Sequence, residues 1–216
     1  MRSIGALLVC TFLAATPAYA QSSGSTAPSR SSAAARVKTT LIFLGGAASG
    51  LVAHESGHLL FGEIFGAHPR VHALTDSPIP FFKISHDPVT RRKEFAISSA
   101  GFWMQYADSE WLLTARPHLK DERAAFLKGI LAFDLGASTV YSITAFARAG
   151  AVERDTRGMA VSLGHNGAPE PVVGLLVLAP AALDGYRYLR PESRWAPWAS
   201  RAVKIASVAL TIAAGR

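Results

Sequence analysis

The sequence predicts an all-α membrane protein: a polytopic bundle of about four to five helices, with a small strand-like loop between the first two helices of the mature chain. Half of the 216 residues are hydrophobic, only 17% are charged and the mean hydropathy is +0.23, which is more apolar than a typical soluble domain. Several apolar stretches also approach the roughly 20 residues that a spanning helix needs. The net charge is +7, and the Lys and Arg residues that produce it lie mostly between these stretches. This placement indicates that the basic residues orient the chain in a bilayer and do not bind nucleic acid.

The first 20 residues have the features of a secretory signal peptide. Met1 and Arg2 give a positive start, residues 4–15 form an apolar core, and Ala18-Tyr19-Ala20 ends the segment in a small-x-small cleavage pattern. The one cysteine, Cys10, would be removed with it, so we expect no disulfide. An uncleaved membrane anchor is the alternative. Residues 21–38 are rich in Ser and Ala and predict a flexible linker before a helical membrane domain at 39–216.

The predicted membrane domain alternates apolar stretches with polar loops. Its first helix, Thr39–Ala67, contains many small residues that allow another helix to approach closely. The proline-rich residues 68–93 favour a small hairpin or strands. Residues 152–171 predict a polar loop, and Pro180 and Gly185 predict a bend or break in the helix that contains them. The later helices are expected at Glu94–Arg116, Asp121–Ala149, Val172–Leu189 and Pro197–Ala214. For Glu94–Arg116, the sequence does not decide whether the helix crosses the membrane.

The first of these helices carries the sequence His54-Glu55-Ser56-Gly57-His58. Residues four apart lie on one face of a helix, so His54 and His58 can bind one Zn²⁺, with Glu55 beside the open coordination position. Ionisable groups inside an apolar span are costly and mark a functional site. The pattern predicts the centre of a zinc hydrolase. The alternative is a histidine pair that is satisfied by hydrogen bonds between packed helices.

A catalytic zinc site takes a third protein ligand, for which the sequence favours Asp184. A helix that is broken around Pro180 and Gly185 can direct this carboxylate into the bundle. The alternative is that Asp184-Gly185 forms a helix-end turn.

Three other candidates for the third ligand remain. Glu63 lies five residues after His58 and faces away from the pair by about 140° on an unbroken helix. His165 lies in a predicted loop and is the most distant candidate. Asp134 is expected to make a structural contact between helices or to pair with Lys128 or Ser138.

The order of these motifs resembles the site-2 protease (M50-type) family of intramembrane zinc metalloproteases. The features are the HExGH sequence at 54–58, the loop 68–93, Ser99-Ala100-Gly101-Phe102 and Leu183-Asp184-Gly185, spread over residues 41–189. The resemblance implies that His54, His58 and Asp184 hold Zn²⁺ and that Glu55 is the catalytic carboxylate. The chain departs from the family at Gly101-Phe102, where Gly-Pro is usual, at Gln105, where an Asn is usual, and in the extra helix 121–149. It would be a divergent member.

The resemblance and the motif lead us to expect a zinc-dependent intramembrane endopeptidase that hydrolyses peptide bonds in or near membrane-spanning substrates. Its partners would be a membrane protein or peptide substrate and the lipid bilayer, with no nucleic acid. Its place would be the bacterial inner membrane, with an exported N-terminus. The alternatives are an inactive membrane scaffold or zinc-binding accessory protein, and a peripheral periplasmic metallopeptidase. The oligomeric state is left open.

Overall fold

A computed structural model describes residues 30–74, 81–150, 154–164 and 169–213, and these residues are mostly helical with one small sheet. The predicted signal peptide at 1–20 and the candidate ligand His165 lie outside the described residues. The strands β1 (Arg70–Leu74) and β2 (Phe81–Ser85) form an antiparallel hairpin in which Arg70 pairs with Ser85. The helical fold class and the strand-like loop are confirmed. The helices are α1 (Arg30–Ile64), α2 (Arg91–Ala115), α3 (Ala125–Ala147), α4 (Asp155–Leu163), α5 (Glu170–Leu189) and α6 (Ala196–Ala213).

Three of the described helices are long and apolar enough to cross a membrane: α1 from Ser32, α3 and α5. The helices α2 and α6 do not reach this hydropathy within the described residues. Helix α2 contains buried polar residues, among them Gln105 and Ser109. The described residues therefore contain three candidate spans, and α2 and α6 pack against them as less apolar helices.

Small residues let the helices of the bundle approach closely. A Cβ added at Gly50 of α1 would lie 2.9 Å from the Phe133 side chain of α3. On another side of α1, a Cβ added at Gly57 would lie 2.6 Å from the carbonyl oxygen of Ala100 on α2. Helix α1 is thus held directly between α3 and α2, as the small-residue pattern predicts.

Helix α2 contributes to both apolar cores of the bundle. One core joins α2 to α4 and α5, and the other joins α2 to α3 and the turn before it. Burial of these side chains is the main favourable contribution to packing among the shorter helices. The buried members are Phe95, Phe102, Tyr106, Met159, Ala160, Val173 and Val177 in the first core, and Leu112, Leu113, Leu119 and Leu131 in the second.

Two predicted helix starts differ from those observed. Helix α1 begins at Arg30, so the second half of the predicted linker is helical, consistent with the good helix propensity of its alanines. Helix α3 begins at Ala125 and follows a 3₁₀ turn over Leu119–Asp121. The acidic residues that were expected in its first turn therefore precede the helix.

The predicted break in the helix around Pro180 is wrong, because α5 continues through this residue to Leu189. A proline inside a helix leaves the carbonyl four residues earlier without its usual donor. Here that carbonyl belongs to Leu176, and the Tyr106 hydroxyl of α2 donates to it at 3.4 Å. A hydrogen bond from a neighbouring helix therefore replaces the missing one, α5 is unbroken, and Asp184 faces α2 and α6.

The predicted loop at 152–171 is also partly wrong, because it contains helix α4. Met159 and Ala160 of this helix are buried against α2 and α5. Gly158 allows α4 to lie directly against the side chain of Ser98 on α2. The segment is polar and short, so its helix depends on packing more than on its own apolar pattern.

Candidate metal centre

The two histidines of the HExxH sequence face the same buried point between α1 and α2. His54 is 1% exposed and His58 is 6% exposed, and their Nε2 atoms are 3.3 Å apart. The Nδ1–H of His58 donates to the carbonyl oxygen of Ile97 at 2.7 Å. This bond fixes the ring and leaves the Nε2 lone pair directed at the site, as metal-binding histidines require.

Asp155, the first residue of α4, lies against both histidines. Its Oδ2 atom is 3.0 Å from His54 Nε2 and 3.4 Å from His58 Nε2. The three ligand atoms lie within 4.8 Å of one another, so this His–His–Asp group could hold a metal ion. Burial raises the pKa of Asp155, but the His58 and His54 imidazoles, which donate hydrogen bonds to it when no metal ion is bound, lower it more. The pKa therefore lies well below the usual range, which keeps the carboxylate available as a ligand.

Asp184, the ligand favoured by the sequence, is not brought to the histidines. Its Oδ1 accepts hydrogen bonds from Ser200 at 2.6 Å and Arg187 at 3.3 Å. Its Oδ2 accepts one from Ser109 at 2.7 Å and lies 2.7 Å from Lys204 Nζ. A carboxylate with four donors, two of them cationic, has no lone pair left for a metal ion. The expectation for Asp184 is corrected, and Asp155 takes its place as the third candidate ligand.

Asp155 was missed because no local pattern connects it with the histidines. It is 101 residues from His54 along the chain and lies in a segment that the sequence predicts as a loop. One weak signal was present: an acidic residue followed by Thr156 and a short helical pattern, which is typical of a helix start. That signal predicts the beginning of a helix but does not predict what the side chain contacts.

Glu55 and Tyr141 complete the surroundings of the His–His–Asp group. Glu55 is partly buried and interacts electrostatically with both histidines and with Asp155. The Tyr141 ring of α3 stacks on His54 with centroids 6.0 Å apart, and the tyrosine lies close to Asp155. Sequence reasoning placed Glu55 correctly beside the histidines and missed Tyr141.

Gly101 of α2 provides the space in front of the histidine nitrogens. A Cβ at this position would lie 2.5 Å from His54 Nε2 and 2.6 Å from His58 Nε2. No side chain larger than hydrogen fits there without displacing the imidazoles. The Ser99-Ala100-Gly101-Phe102 segment therefore lies directly against the site.

An ion pair behind the site connects the start of α4 with the start of α5. Glu170 is fully buried and pairs with Arg154, the residue before Asp155. Arg157 Nη1 also lies 3.5 Å from Glu170. These contacts hold the first turn of α4 in place and so position Asp155 against the histidines.

The other residues considered as ligands or site residues lie away from the metal centre. Glu63 is exposed near the end of α1. Asp134 is buried and bonds to neither expected partner, because Lys128 donates to the carbonyl of Lys120 and Ser138 donates to Gln105. Gln105, expected to replace the family's Asn, thus uses its amide oxygen in a contact with α3.

The donor chemistry of the His–His–Asp group fits a divalent transition metal. Two imidazole nitrogens and one carboxylate oxygen suit Zn²⁺, and three protein ligands leave a position for water. The same donors also bind other first-row metals, so the residues define a metal site without identifying the ion. No family model, curated protein or solved structure matches the chain.

Proposed function

We propose that the protein is a zinc-dependent intramembrane endopeptidase, a divergent relative of the site-2 proteases, that acts on membrane-spanning substrates in a bacterial inner membrane. The observation that carries the proposal is the meeting of Asp155 with His54 and His58, beside Glu55. His54, Glu55 and His58 lie on α1, a helix long and apolar enough to cross a membrane, and Asp155 reaches them from the start of α4. Three ligands with an adjacent carboxylate are the parts that zinc-dependent peptide hydrolysis needs.

The residues divide the chemistry among them. A bound Zn²⁺ supplies Lewis acidity, which acidifies water and polarises a peptide carbonyl. Glu55 accepts the proton of the attacking water and returns it to the leaving amine. Tyr141 lies close to Asp155 and orients it, and Gly101 keeps the space in front of the histidines open.

The hairpin between α1 and α2 supports a mode of substrate binding. A helical substrate hides its carbonyls in its own hydrogen bonds, so it must unwind locally before hydrolysis. Within the described residues the sheet consists of β1 and β2, so each strand has one edge that can accept a further strand. We therefore place the unwound substrate along this hairpin, by strand addition.

The experiment that tests the proposal is cleavage of a membrane-spanning reporter substrate in vesicles that contain the purified full-length protein. Wild type should cleave it, and a chelator should stop cleavage that added Zn²⁺ restores. Glu55→Gln should bind metal like wild type and lose cleavage by about 10²-fold or more. The matched control is Glu63→Gln on the exposed part of the same helix, which should cleave normally. Cleavage that persists in Glu55→Gln would contradict the proposed mechanism.

A metal-free structural role is the second candidate, and one observation favours it. Asp155 Oδ2 already lies at hydrogen-bond distance from the Nε2 atoms of both imidazoles, 3.0 Å from His54 and 3.4 Å from His58. Such a cluster can stabilise the packing of α4 on α1 without an ion, as in an inactive membrane scaffold. Purified protein without bound metal, in which Asp155→Ala lowers thermal stability and nothing else, would support this candidate.

A further inference from the structure

A second buried aspartate of the bundle, Asp134 on α3, is left without a hydrogen bond. Its side chain is 3% exposed, and neither carboxylate oxygen has a partner in the described part of the chain. Asp184 is equally buried, yet each of its oxygens has two donors. The two carboxylates therefore differ in their hydrogen-bond donors: Asp184 has donors that stabilise its negative charge, and within the described residues Asp134 has none.

The groups that act on Asp134 come from three neighbouring helices. They are Asp108 of α2, Asp184 of α5 and Lys204 of α6. Helix α1 presents Gly50 to Phe133, the residue before Asp134, and this glycine brings no charge there. Two of the three facing groups are acidic, so a negative charge on Asp134 is opposed by its surroundings.

Lys204 is already committed to other acceptors. Its ammonium group lies 2.7 Å from Asp184 Oδ2, and it donates to Ser109 Oγ at 3.1 Å and to Glu110 Oε2 at 3.3 Å. An ammonium group has three N–H donors, and these three contacts use all of them. Lys204 therefore cannot also neutralise Asp134 by a hydrogen bond.

The charges of this region also leave one negative charge in excess. Four acidic groups lie where α2, α3, α5 and α6 meet, and three basic groups face them. Neither Asp108 nor Asp134 contacts a basic group within the described residues, but Asp108 is partly exposed to solvent and Asp134 is buried, so the excess charge is least tolerated on Asp134. The acids are Asp108, Glu110, Asp134 and Asp184, and the bases are Arg187, Arg201 and Lys204.

We infer that Asp134 is a proton-binding site in the interior of the bundle, which carries a proton at neutral pH and so balances the charges around it. A buried carboxyl without donors costs far less free energy when neutral than when charged. Loss of the proton would place a negative charge on Asp134, which has no hydrogen-bond donor among the described residues. The inference does not depend on the proposed peptidase activity.

The site is separate from the candidate metal centre. Asp134 shares one face of α3 with Ser138, four residues later, which donates to Gln105 of α2 at 3.1 Å. Tyr141, which lies beside the metal centre, is seven residues after Asp134, which corresponds to about 10 Å along the axis of α3. The proton site thus lies about two helical turns from Tyr141, the residue of α3 that stacks on His54.

Infrared spectroscopy of the purified full-length protein tests this inference. Wild type at pH 7 should show the carbonyl stretch of a protonated carboxylic acid, and the band should shift in D₂O. It should be absent from Asp134→Asn and retained in the control Asp108→Asn. A wild type without the band, or an Asp134→Asn protein that keeps it, would overturn the inference.

Thermal unfolding gives a second and independent test. Asn has the shape of the neutral acid, so Asp134→Asn should fold and keep the thermal midpoint of wild type at pH 7. A variant that does not fold, or that unfolds at a clearly lower temperature, would show that a charged carboxylate is needed there. Exchanging Na⁺ for a bulky organic cation should change nothing. A Na⁺-specific rise in the midpoint that Asp134→Asn abolishes would assign the site to a metal cation and overturn the proton.

Discussion

The His–His–Asp group and the ion cluster around Asp184 each contain an aspartate inside the bundle, and they differ in the partners of that aspartate. Asp155 meets two imidazoles, whose nitrogens can offer lone pairs. Asp184 meets Lys204, Arg187 and two hydroxyls, all of which donate hydrogen bonds to it. The first arrangement converges lone pairs on one point and attracts a cation. The second already contains its cations.

The comparison shows that burial alone does not make an acidic residue a metal ligand. The sequence favours Asp184 over Asp155 as a metal ligand, because Asp184 lies in an apolar stretch near Pro180 and Gly185. In the fold, the neighbouring basic residues decide whether a carboxylate can bind a metal ion, because their hydrogen bonds occupy the lone pairs that a metal ion would need. Each of the following predictions changes one side of this contrast.

The largest effect is expected when the space of the metal centre is filled. Gly101→Ala would place a methyl group 2.5 Å from His54 Nε2, so metal affinity should fall by about tenfold or more. Isothermal titration of the apoprotein with Zn²⁺ measures this. The control is Gly45→Ala, where an added Cβ meets nothing within 4 Å. Equal affinity in the two variants would show that the metal, if any, is held elsewhere.

A smaller effect should follow from loosening the support of Asp155. Glu170→Gln weakens the ion pairs to Arg154 and Arg157, so α4 holds Asp155 less firmly and the Zn²⁺ affinity should fall about tenfold. Glu192→Gln serves as the control, because its pair with Arg190 is exposed. If Glu170→Gln lowered thermal stability but left metal affinity intact, its role would be limited to the packing of α4 and α5.

Removing one hydroxyl should have a still smaller effect. Tyr141→Phe keeps the ring that stacks on His54 and removes only the hydroxyl of a residue that lies close to Asp155. Zn²⁺ affinity should fall several-fold, below the tenfold to hundredfold range of stronger outer contacts. Tyr186→Phe, at an exposed position, should bind like wild type. A Tyr141→Phe protein with unchanged affinity and cleavage would remove this residue from the site.

The smallest effect concerns the pH dependence of the ion cluster. Burial alone would raise the pKa of Glu110, but hydrogen bonds from Arg187, Arg201 and Thr114 outweigh it and lower the pKa to about 2. A lowered pKa means that the pairs stabilise the fold above about pH 4.5, the ordinary value, and that this contribution is lost as the pH falls towards 2.

Thermal midpoints measured between pH 6 and pH 3 check the sign of this dependence. Glu110→Gln should unfold at a lower temperature than wild type at pH 6, and the difference should shrink on acidification. Asp87→Asn, which breaks only the exposed pair with Arg70, should show little difference at either end. A gap between wild type and Glu110→Gln that widens in acid would contradict the stabilising role of these ion pairs.

The sequence predicted what depends on local spacing and missed what depends on contacts between distant segments. The face shared by His54 and His58, the adjacent Glu55 and the hairpin before α2 all follow from short-range patterns. The pairing of Asp155 with the histidines joins residues 101 positions apart, and no helical period encodes it. The continuity of α5 likewise depends on the hydroxyl of Tyr106, which lies on another helix.

The most direct test of the central claim is the metal content of purified full-length protein, compared between Asp155→Ala and Asp184→Asn. The account predicts about one Zn²⁺ per chain in wild type and in Asp184→Asn, and none in Asp155→Ala or His54→Ala, with all four proteins folded by circular dichroism. Metal that remains in Asp155→Ala, or that disappears from a folded Asp184→Asn protein, would contradict the assignment of Asp155 as the third ligand.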